Sequence, residues 1–545
     1  MKKHVIVGGV AGGATAAAKL RREDEQSEIT IFERGGYVSF ANCGLPYFIG
    51  KEITNRDDLL LMTPELFWAK YRVRVFTHHE VIHINRNNKT VTVRNNNQQH
   101  EYHYDTLILS QGAMPIMPPL EGIKLPHVFS LRNMTDMDCI HMYLEDHQPK
   151  KAVVIGGGFI GLEMAEAFHH RGLSVTIVEM QPHILPPLDQ DMALLFTESI
   201  RREGFNIITH HAVKKIYEHS VVLDDDQKID ADIVLVSAGV RAELELAKAA
   251  GLETGRLGGV LVNDYLQTTD PAIFAVGDMI EIRNRVTNVS CRIPLAGPAN
   301  RQGRIAAINA AGGRTSYRGA LGTSIVKVFD QTAAMTGITE KAARQGSADC
   351  LSTMTFNDSH AEYYPGAKGV RTKIVFQKDT GTLLGAQVIG GDGVDKRIDV
   401  LATAIYSHLT VCDLEEIDFA YAPPFGAAND AINIAGFVGS HVLKKEVRVI
   451  NLPSECPPES QIIDVRMPDE IKTTGLLKGA INMPFPEIRA HLDKINRDKP
   501  VVVYCAKGQR GYYVYQILKN NGFKNIYNIN GGLPGARAKG WEIVK

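Results

Sequence analysis

Apolar and polar positions along this chain fall into a strand, turn and helix rhythm that is played twice. Residues 4–7 (HVIV) are an unbroken apolar run ending in the turn GGVAGG, followed by an alanine-rich stretch at 11–22 and a second apolar run, EITIFE, closing at Glu33. A short apolar run bounded by glycines predicts a buried strand, and the alanine-rich stretch predicts the helix after it. In mid-chain KAVVIGGGFIGLEMAEAF (151–168) and then SVTIVE, ending at Glu179, repeat the order. Two more apolar runs, in LILSQGAMP (107–115) and IVLVSAGVRA (233–242), each lead into a glycine loop. Near the C-terminus VVVYCAKGQRG (501–511) is an apolar strand running into a loop, and YYVYQILKN beyond it has helical periodicity. Strands alternating with helices predict an α/β chain with parallel sheets, and 545 residues divide into three or four compact units.

The two glycine turns carry the first chemistry. In the mid-chain turn Gly156, Gly158 and Gly161 complete the spacing GxGxxG, with Glu179 at the end of the next strand. That pattern suits a tight turn, a pyrophosphate at the helix N-terminus and a carboxylate on the ribose. A carboxylate there accepts from a free 2′-hydroxyl and repels a 2′-phosphate, so NADH is expected over NADPH. The N-terminal turn (Gly8, Gly9, Ala11, Gly12, Gly13) has Val10 in place of the middle glycine, but the strand before it, the helix after it and Glu33 meet the same requirements.

A second chemistry lies at Cys505. A strand-to-helix loop forms an anion-holding nest at a helix N-terminus, and Lys507 and Arg510 add positive charge, so a thiol there is expected to ionise readily. For an isolated cysteine, a buried strand end is the competing reading.

Composition narrows the classes. Lys plus Arg number 60 against 61 Asp plus Glu, which gives no field to gather nucleic acid or membrane. The apolar run at the N-terminus is cut short by glycines, too early for a secretion signal or a membrane span, and a cytoplasmic protein is expected. Seven cysteines (43, 139, 291, 350, 412, 456 and 505) show no CxxC and no paired framework, against structural zinc and a disulfide scaffold; no metal is expected.

Two dinucleotide units in one chain resemble the flavin-dependent pyridine nucleotide-disulfide oxidoreductases. The resemblance implies FAD on the first unit, NADH on the second, and Gly112 and Gly239 in the closing loops. TTDPAIFAVGDM (268–279) is similar to the family's second FAD segment, which gives Asp278 to the ribityl chain. The chain from about 322 to 440 resembles the dimerisation domain, implying a homodimer. VSFANCGLPYFIG (38–50) holds Cys43 alone, with Phe48 where the two-cysteine version has its second thiol. A lone thiol beside a flavin pairs with something external: a small thiol, a persulfide sulfur or an oxygen.

That frame is similar to the coenzyme A disulfide reductases, and the family puts Thr15, Lys19, Arg22, Ser39, Asn42 and Asn300 against coenzyme A. Lys19 and Arg22 are three apart on one helix face, the spacing of a phosphate clamp and equally of an ordinary solvated face. At Asn300 a His is common in the family. In FAYAPPFGAANDA (419–431) Tyr421, with Tyr363 or Tyr364 of EYYPGAK, is implied as a proton donor reaching toward the other subunit's Cys43.

The last 90 or so residues resemble rhodanese domains, through IIDVR (462–466), KGAINMP (478–484), the Cys505 loop and GGLPGARAKGWEI (531–543). The whole is similar to fused NADH-dependent persulfide reductases. The expected organisation is α/β: a Rossmann-like FAD domain (1–115 and 240–321), a Rossmann-like NAD domain (116–239), an α+β dimerisation domain (322–440), a linker (441–460) and an α/β rhodanese domain (461–545). The resemblance implies reduction of persulfide or polysulfide sulfur, such as coenzyme A persulfide, to hydrogen sulfide, with Cys43 as redox thiol and Cys505 as sulfur carrier. Reduction of coenzyme A disulfide or of oxygen is the alternative within the class. A sulfur carrier or redox sensor is the alternative outside it.

Overall fold

The computed structural model describes residues 1–346 and 348–545, which cluster into two compact units: Met1–Gln181 with Phe205–Gly322, and Pro182–Gly204 with Thr323–Lys545.

The first unit is built on two five-stranded parallel sheets. One runs in the order Ile273–Ala275, Thr106–Leu109, Lys3–Val7, Glu28–Phe32, Val73–Phe76. The other runs Asn206–Thr209, Ser174–Glu179, Lys151–Ile155, Ile233–Val236, Val128–Phe129. Lys3–Val7 and Lys151–Ile155 are buried at every position after the first, as parallel strands covered on both faces must be. Each sheet has the strand, turn and helix that the sequence predicts at its centre. Helix Ala11–Glu23 packs on helix Ala296–Ala310, and a Cβ added at Gly303 would fall 2.2 Å from the Gly12 carbonyl oxygen. Glycine at 303 therefore sets how closely the two backbones approach.

The second unit joins an antiparallel sheet to a parallel one. The antiparallel order is Ser324–Val328, Gln331–Gly337, Leu383–Gly390, Gly369–Gln377, Cys350–Asp358. The parallel order is Val449–Ile450, Ile526–Ile529, Val501–Tyr504, Gln461–Asp464, Ala480–Asn482. Asn530 ties them together: its side-chain oxygen accepts from the Met354 N–H at 2.9 Å and its amide donates to the Ser352 carbonyl at 3.2 Å, all three buried.

Two segments differ from the expected organisation. Residues 182–204, expected inside the NAD domain, cluster with the second unit because polar groups bind them there. Asp189 accepts from the backbone N–H groups of Glu340 and Lys341 and from the Gln387 amide, and Asp191 accepts from Lys373. Residues 441–460, expected as a linker, are largely structured. Helix Ala431–Leu443 covers their start, and Val449–Ile450 pairs in parallel with Asn528 and Ile529 as the edge of the C-terminal sheet.

Among the described residues no helix is long and apolar enough to cross a membrane.

Candidate active site

The glycine turns of the first unit are formed as dinucleotide cradles. Gly8 (φ +95°) and Gly156 (φ +108°) lie in the left-handed region, and a Cβ on either would strike the carbonyl of Ser110 or Ser237 at 2.4 or 2.3 Å. Only glycine fits. The acids that close each unit brace the turns: Glu33 accepts from the N–H groups of Gly9 (2.9 Å) and Gly35 (2.8 Å), Glu179 from those of Gly157 (2.7 Å) and Gln181 (2.8 Å). Gly112 and Gly158 face open space, with no atom within 4 Å of an added Cβ. The buried Gln111 Oε1 and Arg292 Nε have no protein partner, as expected of polar groups that await a bound molecule. Gly239, also at positive φ, has only Ile116 near it. These residues fit two dinucleotides.

Asp278 sits in the turn Gly277–Met279; burial raises its carboxyl, against the pull of Arg292 and Arg132. It also contributes, after Glu163, to the field at Cys43.

Cys43 lies in the short turn Asn42–Gly44 leading into helix Leu45–Ile49, and the segment is pinned to the first glycine turn by the Ser39 N–H, which donates to the Gly9 carbonyl at 2.8 Å. The residue is exposed, yet its thiol is surrounded on the protein side. That burial raises its pKa, with Glu163 and Asp278 adding to the effect. The protein's own groups thus favour the thiol over the thiolate. Phe48, at the position of a second cysteine, is buried.

Glu163 escaped the sequence reading. It is an acid in the apolar run GLEMAEAF, pushed up by burial to about 7 against a hydrogen bond from Tyr47 at 3.5 Å. The Tyr47 phenol is in turn raised to about 12 by burial and by Glu163. An acid inside an apolar helical run was the available signal.

Of the expected coenzyme A contacts, the structure brings Thr15 and Asn300 together, the Thr15 hydroxyl donating to the Asn300 amide oxygen at 2.9 Å. Lys19 is paired with Glu23 one turn on and is largely covered, while Arg22 is exposed. The expected two-cation clamp is thereby reduced to one open charge. Ser39 takes a left-handed conformation (φ +47°), and Asn42 is exposed next to Cys43.

In the second unit the Tyr363 and Tyr421 hydroxyls lie 3.2 Å apart, whereas Tyr364 stands edge-on to His360. Tyr363 and Tyr421 are 75% and 48% exposed, and Phe425 is 71% exposed, so this aromatic group opens to solvent.

Cys505 ends strand Val501–Tyr504 and is buried, with Sγ accepting from the Gly508 N–H at 3.1 Å. Both expected loop cations already have partners. Arg510 donates to the two oxygens of Glu470 at 2.6 and 2.7 Å, and Lys507 lies 3.5 Å from Asp358. Glu470 and Asp358 were not picked out from sequence, since neither lies in the loop.

Comparison with known proteins identifies the family and its domains. Residues 2–303 match the Pyridine nucleotide-disulphide oxidoreductase family, residues 323–431 its dimerisation domain, and residues 451–539 the Rhodanese-like domain. The coenzyme A disulfide reductase of Staphylococcus haemolyticus is 39% identical over 440 residues, 80% of this chain and 99% of that protein. The reduced CoADR-RHD of Bacillus anthracis superposes with a TM-score of 0.96 at 42% identity, covering 99% of this chain and 98% of that one. A NAD-dependent persulfide reductase from A. fulgidus gives 0.93 at 36% identity, covering 98% and 99%.

Proposed function

We propose, from the premise that this chain belongs to the pyridine nucleotide-disulphide oxidoreductase family, that it reduces the outer sulfur of a persulfide such as coenzyme A persulfide, using NADH. The overall change is R–S–SH + NADH + H⁺ → R–SH + H₂S + NAD⁺. The observation that carries the reading is a single thiol, Cys43, with Phe48 in the second cysteine's place, on the same chain as a Cys505 loop of sulfur-carrier form.

The turn around Gly8 to Gly13, with Glu33, Gly112 and Asp278, would hold FAD; the turn around Gly156 to Gly161, with Glu179 and Gly239, would hold NADH. Bound there, FAD supplies a two-electron relay between nicotinamide and sulfur. Once ionised, the Cys43 thiolate attacks either the inner sulfur, leaving Cys43–S–S–R and releasing hydrosulfide, or the outer sulfur, leaving Cys43–S–SH and releasing R–S⁻, and the leaving group takes a proton. Two sources serve that proton. Glu163, its carboxyl raised by burial to about 7, is partly protonated at neutral pH and acts electrostatically on Cys43. The partner subunit's Tyr421, with the partner's Tyr363, is the other, in a homodimer whose exposed aromatic group would be covered by the second copy. Cys505 carries sulfane sulfur as its own persulfide. Thr15, Ser39, Asn42, Asn300 and Arg22 form the coenzyme A subsite, with Lys19 contributing its stem more than its charge.

A second reading, reduction of coenzyme A disulfide itself, is favoured by the Staphylococcus haemolyticus relative. Anaerobic NADH oxidation with each substrate separates them. One sulfide per NADH from coenzyme A persulfide, lost in Cys43→Ser, supports the proposal. NADH consumption with coenzyme A disulfide and no sulfide from the persulfide supports the second reading.

A further inference from the structure

The Cys505 loop has been given cations and then had them neutralised. Within residues 505–510 Lys507 and Arg510 are the only charged side chains. Arg510 is held by a bidentate pair to Glu470, the strongest geometry available to a guanidinium. Glu470 is fixed in turn, since the Met467 N–H donates to it at 2.9 Å in the first turn of helix Pro468–Thr474. Its carboxyl is held at about 2, chiefly by the hydrogen bond from Arg510, so the pair is ionised throughout the neutral range. Lys507 faces Asp358, at the end of strand Cys350–Asp358 in the antiparallel sheet. Two further cations of the C-terminal domain are also committed: Arg466 to Asp464, and Lys539 to Asp191 and Asn451. What acts on Sγ is then the Gly508 N–H, the N-terminus of helix Gln509–Asn520 and an Arg510 whose charge is already shared with Glu470.

That suits a singly charged leaving group. With an organic persulfide, Cys505–S⁻ + R–S–SH → Cys505–S–SH + R–S⁻: the new S–S bond forms on the outer sulfur, the old one breaks, and a thiolate monoanion leaves. With thiosulfate, Cys505–S⁻ + S–SO₃²⁻ → Cys505–S–S⁻ + SO₃²⁻: the leaving group is a dianion, and its charge needs cations that are not already paired. We infer that Glu470 and Asp358 are specificity residues, which neutralise Arg510 and Lys507 so that the loop takes sulfur from organic persulfides and discriminates against thiosulfate. The inference rests on Cys505 being the sulfane-sulfur carrier. It goes further by assigning donor choice to two carboxylates outside the loop, one of them on the dimerisation sheet.

The test is sulfur loading of Cys505 in full-length enzyme, without NADH, so that reductase turnover plays no part. Cys43→Ser is the background, and the gain of one sulfur at Cys505 is followed by mass spectrometry. The donors are thiosulfate and the persulfide of 2-mercaptoethanol. The expected result is rapid loading from the persulfide and slow loading from thiosulfate. Glu470→Gln and Asp358→Asn should each raise the thiosulfate rate, roughly three- to tenfold for Glu470→Gln and less for the looser Asp358 pair, leaving the persulfide rate within about twofold. Glu470→Asp keeps the charge and should keep the wild-type ratio. Equal loading from both donors in wild type overturns the inference, as does a Glu470→Gln enzyme that loses both rates in parallel. No loading from either donor overturns the carrier reading, and this inference with it.

Discussion

The Lys539 ammonium lies 3.4 Å from Asp191, so the end of the chain is paired with a helix that begins at Gln190. Asp191 also accepts from Lys373 at 2.9 Å, and Lys373 reaches Glu340 at 2.9 Å and Asp189 at 3.1 Å. Burial pulls Lys373 down, but Asp191, Asp189 and Glu340 outweigh it and raise its pKa; burial lowers Lys539, opposed by Asp191. Removing one member leaves an uncompensated buried charge. Asp191→Asn is expected to cost about 3–5 kcal/mol of stability in denaturant unfolding, and Lys373→Met a similar amount.

The same cluster sets an acid limit. Burial pushes the Glu340 carboxyl up, but Lys373, Arg344 and Ser352 overcome it and hold it at about 2. A carboxyl lowered on folding contributes stability that is present above its unfolded pKa, near 4.5, and is lost as pH falls through the folded one. The Tm should therefore fall as pH drops from about 4.5 to 2, and Glu340→Gln should flatten that slope.

Glu163 gives the opposite sign. Its carboxyl is raised to about 7, so the folded protein holds a proton there that the unfolded chain releases near 4.5, and stability falls as pH rises between those values. If it delivers the proton, turnover with persulfide falls above about pH 7. Glu163→Gln should remove that limb of the pH profile and lower kcat roughly tenfold.

Tyr363 and Tyr421 hold each other at 3.2 Å on an exposed surface. Phenylalanine at either position should leave Tm within about 2 °C and reduce kcat roughly ten- to a hundredfold in steady-state NADH oxidation. Tyr364→Phe, lacking that partner, should retain near wild-type turnover.

Glu179 accepts from the Gly157 N–H at 2.7 Å, and in the proposed NADH site its carboxylate would also face the ribose. Glu179→Gln is expected to narrow the NADH over NADPH preference in kcat/KM by roughly tenfold.

What could be read from the chain itself is what local spacing encodes. Gly156, Gly158 and Gly161 are a few residues apart because one turn must use them together, and Cys43 and Phe48 are legible for the same reason. The Lys19–Glu23 pair is also local, an i,i+4 contact, and the phosphate-clamp reading passed over it. Lys373, Asp191 and Lys539 are different: a lysine in a strand, an acid on a helix and a lysine near the terminus carry no mark of one another. Glu470 and Asp358 are invisible in the same way, because what neutralises Arg510 and Lys507 arrives from other elements through the tertiary fold. The two-sheet packing through Asn530 brings Asp358 within reach of Lys507, and no feature of an isolated loop could report it.

Val449–Ile450 forms the outer strand of the C-terminal sheet although it precedes the part of the chain that carries the sulfur chemistry. A gene cut at residue 461 would therefore strip the backbone of Ile526–Ile529 of its neighbour and offer an apolar, unpaired edge to other molecules. Such a fragment would be expected to aggregate, while one beginning before residue 447 would keep the edge covered.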